Sequence, residues 1–600
     1  MVPTGKQLLL AISGPESAAE EMRLLALAEW MGVPAKTVAI GNGEALLHRL
    51  AEPLKAESSC LAMSAETLTA VNQRGGLSPH ALLNGSVSEL FVFGWASAPE
   101  QQRALSWLTS GAISGINELD ERAERFSLPR EAASLSRQLA GLSFSGSTEE
   151  PVAAFELRAE PADAEVILTA NERPVFVRLE WGTAKVFLLS LPLPDIDKPL
   201  SRTRGIEEHY AALIAPLILL RSWFGERCRH APQSTARLII DDPGLSMRYG
   251  FLDYKLLQES MLRCRYGTTV AFIPWNGWRT SRKDASRLLG EGSNLSICIH
   301  GCDHTKGEFE LADGPRLDAK ANLAMRRMEA QQARTGAPFE SVMVFPQGHF
   351  SARAIKALRA NDYLAAVNTA AFPTDHGGDD IRVRDFLRPA VTCYDGFPIF
   401  LRHYPRSIFE FAFDLFVGKP ALVVEHHQFF RGGCGAMEEV VAGLYKADPS
   451  LSWPPLSDQL MRSCLERTQP NGWQEVLFFT RRFLFENRRG HPERFLLSKH
   501  EPDAEAIRSV LVDGIAAPWS IENGWLKLEV EAQQGQVSRI EIIDREIARP
   551  GTAGFGIAYN TGVAVRRALS ELRDNALGRN EGLLKVANRI AKMLKVSGSG

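Results

Sequence analysis

The residues best suited to chemistry are acids and histidines that end apolar runs. Asp241 and Asp242 close the run ARLIIDD, and Pro243 and Gly244 follow at once. That pattern reads as a buried strand ending in a turn. Two carboxylates at such a tip are costly to desolvate unless they hold a partner; the plain alternative is an Asp-rich turn with Asp241 capping the next element. The run LSICIH ends in His300-Gly-Cys-Asp-His304. Two imidazoles four residues apart at a strand tip can converge on one ion, and imidazole suits zinc and similar divalent metals. ESVMVF ends at Pro346-Gln347-Gly348-His349, FPIFLRHYP carries Arg402 and His403, and GKPALVV runs into Glu425, His426 and His427. TTVAFIPWN ends at Trp275 and Asn276, with Trp278 just beyond; such rings stack on a sugar or simply cover the mouth of a fold.

These tips need elements that bring them to one place. Helical periodicity separates the apolar runs, in FLDYKLLQESMLRCRYG and over Arg282–Leu289 and Ala352–Ala360. Strands alternating with helices build a (β/α) barrel, in which every strand tip opens on the same face. The expected barrel occupies residues 229–455.

Residues 1–228 alternate in the same way: QLLLAIS, KTVAI, SSCLAMS and SELFVFGW read as strands, with helices over Ser17–Met31 and around Ala45–Leu54. A doubly wound α/β domain is expected there. PVFVRLEWGTAKVFLLSL adds a hairpin with Gly182 in its turn. LSWPPLSDQ reads as a Pro-rich linker. Residues 456–550 hold short β runs expected to form an antiparallel β-sandwich. Residues 551–600 form a basic amphipathic helical tail, with Val565, Ala568, Leu569 and Leu572 on one stripe. Such a tail suits the surface of an anionic membrane, the body of the chain or a partner. The fold class is thus α/β and multidomain.

Six hundred residues, 45% hydrophobic and 23% charged, supply several globular cores. A net charge of −3 disfavours a nucleic-acid partner. The eight cysteines form no CxxC pair, and the N-terminus lacks the pattern of a signal peptide. A reducing, cytoplasmic setting is expected, with peripheral contact at the inner membrane through the tail.

The central region resembles the polysaccharide deacetylase (NodB-homology, carbohydrate esterase) family. IIDDPG, HGCDH, VFPQG and LVVEHH match, in order, its TFDDG-type, H-x-x-x-H, R-x-P-x-G-type and Leu-x-x-His-type motifs, and TTVAFIPWN resembles its second strand. The match spans about 200 of the 600 residues. It implies a divalent metal, zinc foremost, on Asp242, His300 and His304. It further implies Asp241 as general base, His426 or His427 as general acid, and Pro346 and Gly348 as groove wall. Trp275, Asn276, His349 and Arg402 would line the substrate path. The implied reaction removes acetyl groups from an N-acetylated sugar or polysaccharide precursor. Two departures stand out. Pro243 replaces a glycine, and Val344 stands where the third motif has an arginine that positions the catalytic Asp; Arg388 or Arg402 would have to supply that charge. The altered motif leaves open a silent glycan-binding or assembly protein, or a different C–N hydrolase on the same barrel. The N-terminal region loosely resembles class I glutamine-amidotransferase-like domains, without their Gly-x-Cys-x-Gly elbow. Cys60 has no flanking glycines and reads as a small buried hydrophobe.

Overall fold

The computed structural model describes residues 6–12, 19–40, 60–73, 87–148, 150–158, 164–182, 184–203, 205–290, 292–375, 381–545 and 555–577. The helix expected around Ala45–Leu54 lies outside the described residues. The N-terminal region is a nine-stranded sheet. Leu8–Ile12, Ala35–Ala39, Cys60–Ser64, Glu89–Phe93 and Ala184–Leu189 pair in parallel. The hairpin partner Arg173–Trp181 and the strands beyond it continue the sheet antiparallel. Gly182 sits at φ 59 in the hairpin turn. Cys60 is fully buried in the sheet, and burial pushes its thiol pKa up.

Seven parallel strands form the barrel: Ala236–Asp241, Thr268–Phe272, Leu295–His300, Glu340–Val344, Ala365–Asn368, Ile399–Leu401 and Ala421–His426. The seventh strand pairs with the first, and a single bridge between His403 and Val423 nearly closes the ring. Alternation along the strands decides what faces inward. Ile239, Ala271, Cys298, Val342, Val344, Val367, Phe400 and Leu422 share one core, while Leu238, Ile240, Val270, Ile297, Met343 and Val423 belong to another, shared with the surrounding helices. Asp241, His300, Arg402 and His426 keep the period of the first set, so the same alternation that fills the interior delivers them to its upper end. The lower end is closed differently. Leu456 and Leu460 join the interior core from the helix Leu456–Met461, so the stretch expected as a Pro-rich linker is in fact a plug. Beside it the buried Arg237 guanidinium donates to Thr268 O, Asn294 O, Thr269 Oγ1 and Ser296 Oγ.

The apolar helix Tyr210–Phe224 joins sheet and barrel. Trp223 meets Phe91 and Phe187 edge-on at one end, and Tyr210 meets Phe409 and Phe413 at the other. C-terminal to the barrel, a five-stranded and a four-stranded sheet enclose a separate aromatic and aliphatic core. Among the described residues no helix is long and apolar enough to cross a membrane.

The helix Ile557–Leu572 returns to the barrel and lies across its upper mouth. Tyr559 Oη donates to Asp303 (2.7 Å), Glu571 pairs with Arg279 (2.5 Å), and Asp574 accepts from Tyr249 Oη (3.1 Å). The apolar stripe of this helix is not its buried face: Val565 and Leu569 are 55% and 61% exposed, whereas Val563, Arg567 and Asp574 are buried; residues 551–554 and 578–600 of the expected tail lie outside the described residues. Hydrogen bonds and ion pairs on the opposite, more polar face settle its orientation.

Candidate active site

Strand register puts the key residues side by side. Asp241 pairs directly with His426 of the seventh strand and with Ala271 of the second. Asp242 follows in the left-handed region at φ 82, its N–H donating to Ala271 O (3.2 Å). That sharp turn, unfavourable for a residue with a side chain, swings its carboxylate toward the third strand. There Asp242 Oδ1 lies 3.4 Å from His300 Nε2 and 3.0 Å from His304 Nε2. The three donor atoms all fall within 4.8 Å of one another.

The loop carrying the histidines is held from beneath. Glu308 is buried and accepts from the N–H groups of Cys302 (2.9 Å), Asp303 (3.1 Å) and His304 (3.1 Å). Lys320 bridges Glu308 and Asp303 at 3.2 Å each, and Arg327 adds a 2.6 Å contact to Asp303. Gly301, at φ 62, permits the turn; a Cβ there would overlap the Glu308 carboxylate and the Pro346 ring.

The donor set fits a divalent cation. His300 Nδ1 lies 3.0 Å from Val344 O, so a proton sits there and Nε2 is the ring nitrogen turned toward Asp242. Asp242 Oδ1 is buried and makes no hydrogen bond despite the two imidazoles beside it. A carboxylate oxygen set between two imidazole nitrogens is a donor set of the kind that holds a divalent cation.

Asp241 is held by a different charge. Burial works against ionisation of both acids. At Asp241 the Arg402 guanidinium outweighs it, and at Asp242 the neighbouring His300 and His304 do, so both carboxyls lie below the usual carboxylate range. Arg402 grips Asp241 with two parallel bonds of 2.6 Å. Arg402 follows the sixth strand and brings to Asp241 a positive charge that Val344 cannot supply. Arg388 does not: it pairs with Asp385 (3.4 Å) and lies over Trp525, remote from the acids.

Asp241, Asp242, His300, His304, Arg402 and His426 line one pocket of about 530 Å³ together with Gln347, Gly348, Thr369 and Tyr404. His426 stacks on Tyr404, rings nearly parallel at 6.3 Å. Not every expected residue joins them. His427 points the other way, into a buried nest with Phe251, Tyr249 and Asp574. Trp275 and Asn276 also fall outside, because Pro274 starts a short 3-10 segment that carries the chain off the barrel rim. Asn276 is buried, and Trp275 lines a second groove with Trp278, under the Arg327 guanidinium. Pro346 is buried against Gly301 and shapes the loop from behind. His349 is exposed and pairs with Glu310. Arg402 reaches the pocket wall but spends both terminal nitrogens on Asp241. The pocket also has a roof that the sequence did not announce: Arg566, Arg567, Leu569, Ser570 and Arg573 of the C-terminal helix. The available signal was the i, i+4 spacing of Tyr559, Val563 and Arg567, which puts an anchor, an apolar contact and a guanidinium on one face.

No family model matches the chain, and no curated protein matches it by sequence. Solved structures with related shapes include Agd3, a carbohydrate deacetylase, at 11% identity over 90% of this chain and 98% of that one, with a TM-score of 0.43. A family 4 carbohydrate esterase from Streptomyces lividans in complex with acetate matches at 10% identity over 38% of this chain and 94% of its own, with a TM-score of 0.24. The peptidoglycan deacetylase PdaC from Bacillus subtilis matches at 12% identity over 38% and 90%, with a TM-score of 0.23. Likenesses at this level do not carry an activity to this chain; the geometry of the pocket has to.

Proposed function

We propose that the chain is a metal-dependent hydrolase that removes acetyl groups from an N-acetylated sugar or polysaccharide precursor. The observation that carries this reading is the convergence of an Asp-His-His donor set with an Arg-held acid and a histidine in one pocket. Asp242, His300 and His304 would hold the ion. Bound there, a divalent metal such as zinc supplies a Lewis acid that acidifies water and polarises an acyl carbonyl.

The rest is the work of side chains. Asp241 serves as general base and takes a proton from the attacking water; the Arg402 fork fixes the carboxylate plane and leaves each oxygen a further lone pair. The water oxygen bonds to the acyl carbon, and the C–N bond breaks as His426 delivers a proton to the leaving nitrogen, giving acetate and a free amine. Without that proton the amine would be a very poor leaving group. His426 suits the role because its ring lines the pocket beside Asp241, whereas His427 is sequestered. The stack on Tyr404 holds the ring in place.

Acetate release from a panel of N-acetylated oligosaccharides tests the reading. Release should stop with a chelator and return with zinc. His426→Ala should lower kcat by about a hundredfold or more, and His427→Ala by less than about tenfold. A zinc-loaded protein that frees no acetate from any of them, or equal losses in the two variants, would overturn it.

A further inference from the structure

The roof of the pocket carries a feature the hydrolytic reading does not use. Arg567 is 2% exposed, yet its Nε and Nη2 have no hydrogen-bond partner, and it forms no ion pair among the described residues. A buried guanidinium with nothing to bind is costly. The nearby acids are already engaged: Asp241 with Arg402, Asp574 with Arg573 and Tyr249, Glu571 with Arg279. Asp242 faces the two histidines. Arg567 therefore lines the cavity with two buried donors left without a partner, flanked by Arg566 and Arg573 on the same wall.

Four contacts lock this helix over the barrel, through Tyr559, Glu571, Asp574 and Asn575, whose Oδ1 accepts from Gly250 N at 2.8 Å. The guanidinium is thus a fixed part of the mouth. Its fork geometry matches a carboxylate or a phosphate bidentately.

From this we infer that the pocket takes an anionic substrate: an acylated sugar bearing a carboxylate or phosphate, whose oxyanion docks on Arg567 while its acyl group reaches the acids and histidines. The inference names the substrate class of the hydrolase proposed above and rests on that reading, but its test does not depend on turnover. Arg567 is a binding residue, with Arg566 as an outer donor that a ligand can recruit.

Calorimetric titration of the full chain with N-acetylglucosamine 6-phosphate, N-acetylmuramic acid, neutral N-acetylglucosamine and inorganic phosphate separates the possibilities. At least one of the two charged sugars should bind about tenfold to a hundredfold tighter than the neutral sugar, the range of a charge-assisted hydrogen bond. Arg567→Gln should erase that difference, and exposed Arg566→Gln, which has no packing role to disturb folding, should reduce it several-fold. Asp242→Ala should keep it. If only phosphate-bearing ligands gain, inorganic phosphate included, the subsite reads phosphate; if N-acetylmuramic acid gains, it accepts carboxylate. Charged and neutral sugars binding alike, or a preference that survives Arg567→Gln, would overturn the inference. Charge-selective binding without acetate release would leave the subsite standing and remove the hydrolase reading.

Discussion

The floor and the roof of the pocket are both lined by charge, but they are built on opposite principles. In the floor the charged groups are set against one another: Asp241 meets the Arg402 fork, and the donors on Asp242, His300 and His304 face one another across the space of a single ion. In the roof Arg567 is buried with no counter-charge among the described residues. On the reading proposed above, the floor is set by folding and by the ion that Asp242, His300 and His304 would hold, and the roof would be completed by what binds. A site divided in this way can hold its chemistry rigid while the roof selects the substrate.

The comparison breaks most visibly through stability. Arg402→Met would strand the Asp241 carboxylate in a buried site, and chemical denaturation should show a loss of about 3–5 kcal/mol. Arg567→Met removes a charge that has no partner, so the same measurement should show no loss, and a gain on the order of 1 kcal/mol. Two arginines on facing walls of one cavity would then differ in sign. Equal destabilisation by both would mean that Arg567 has an answering charge within the protein.

A smaller effect sharpens the contrast away from the pocket. Glu475 sits between Arg229 (2.9 Å) and Arg467 (2.5 Å). Burial alone would raise its pKa, but the two guanidiniums win and bring it down to about 2. The sign follows from linkage: its carboxylate stabilises the fold above the unfolded-state value near 4.5 and loses that contribution as pH falls toward 2. Denaturation midpoints followed from pH 5 to pH 3 should fall for the native protein and less steeply for Glu475→Gln. The difference should be of order 1–2 kcal/mol across that range. Identical slopes would show that this satisfied cluster, unlike the floor, contributes nothing that depends on its charge.

Most of the floor could be read from the sequence, and most of the roof could not. Asp241, His300 and His426 each end their own apolar run, and period-two alternation ties them to residues known to face inward, so type and spacing sufficed. Arg402 was one of two arginines able to replace the missing third-motif charge, and only the structure chose between it and Arg388. His426 and His427 are adjacent, so alternation sends one inward and the other out; the strand phase decides which. Trp275 and Asn276 misled because Pro274 turns the chain off the rim, an event that a strand-plus-tip reading does not resolve. The C-terminal helix was legible as a basic amphipathic helix, but its destination and its buried face were not. Its hydrophobic stripe was the natural candidate for burial, but Tyr559, Asp574 and Glu571 find partners on the barrel more than 250 residues away along the chain. No local pattern encodes a contact of that kind.

The central claim is that Asp242, His300 and His304 form a metal centre. Metal content by mass spectrometry, native protein beside Asp242→Ala and His300→Ala, tests it most directly. The account predicts about one zinc-class ion per chain in the native protein, removed by chelation, restored by zinc, and lost in both variants. A native protein that holds no metal after soaking in zinc, or variants that keep it, would contradict the account.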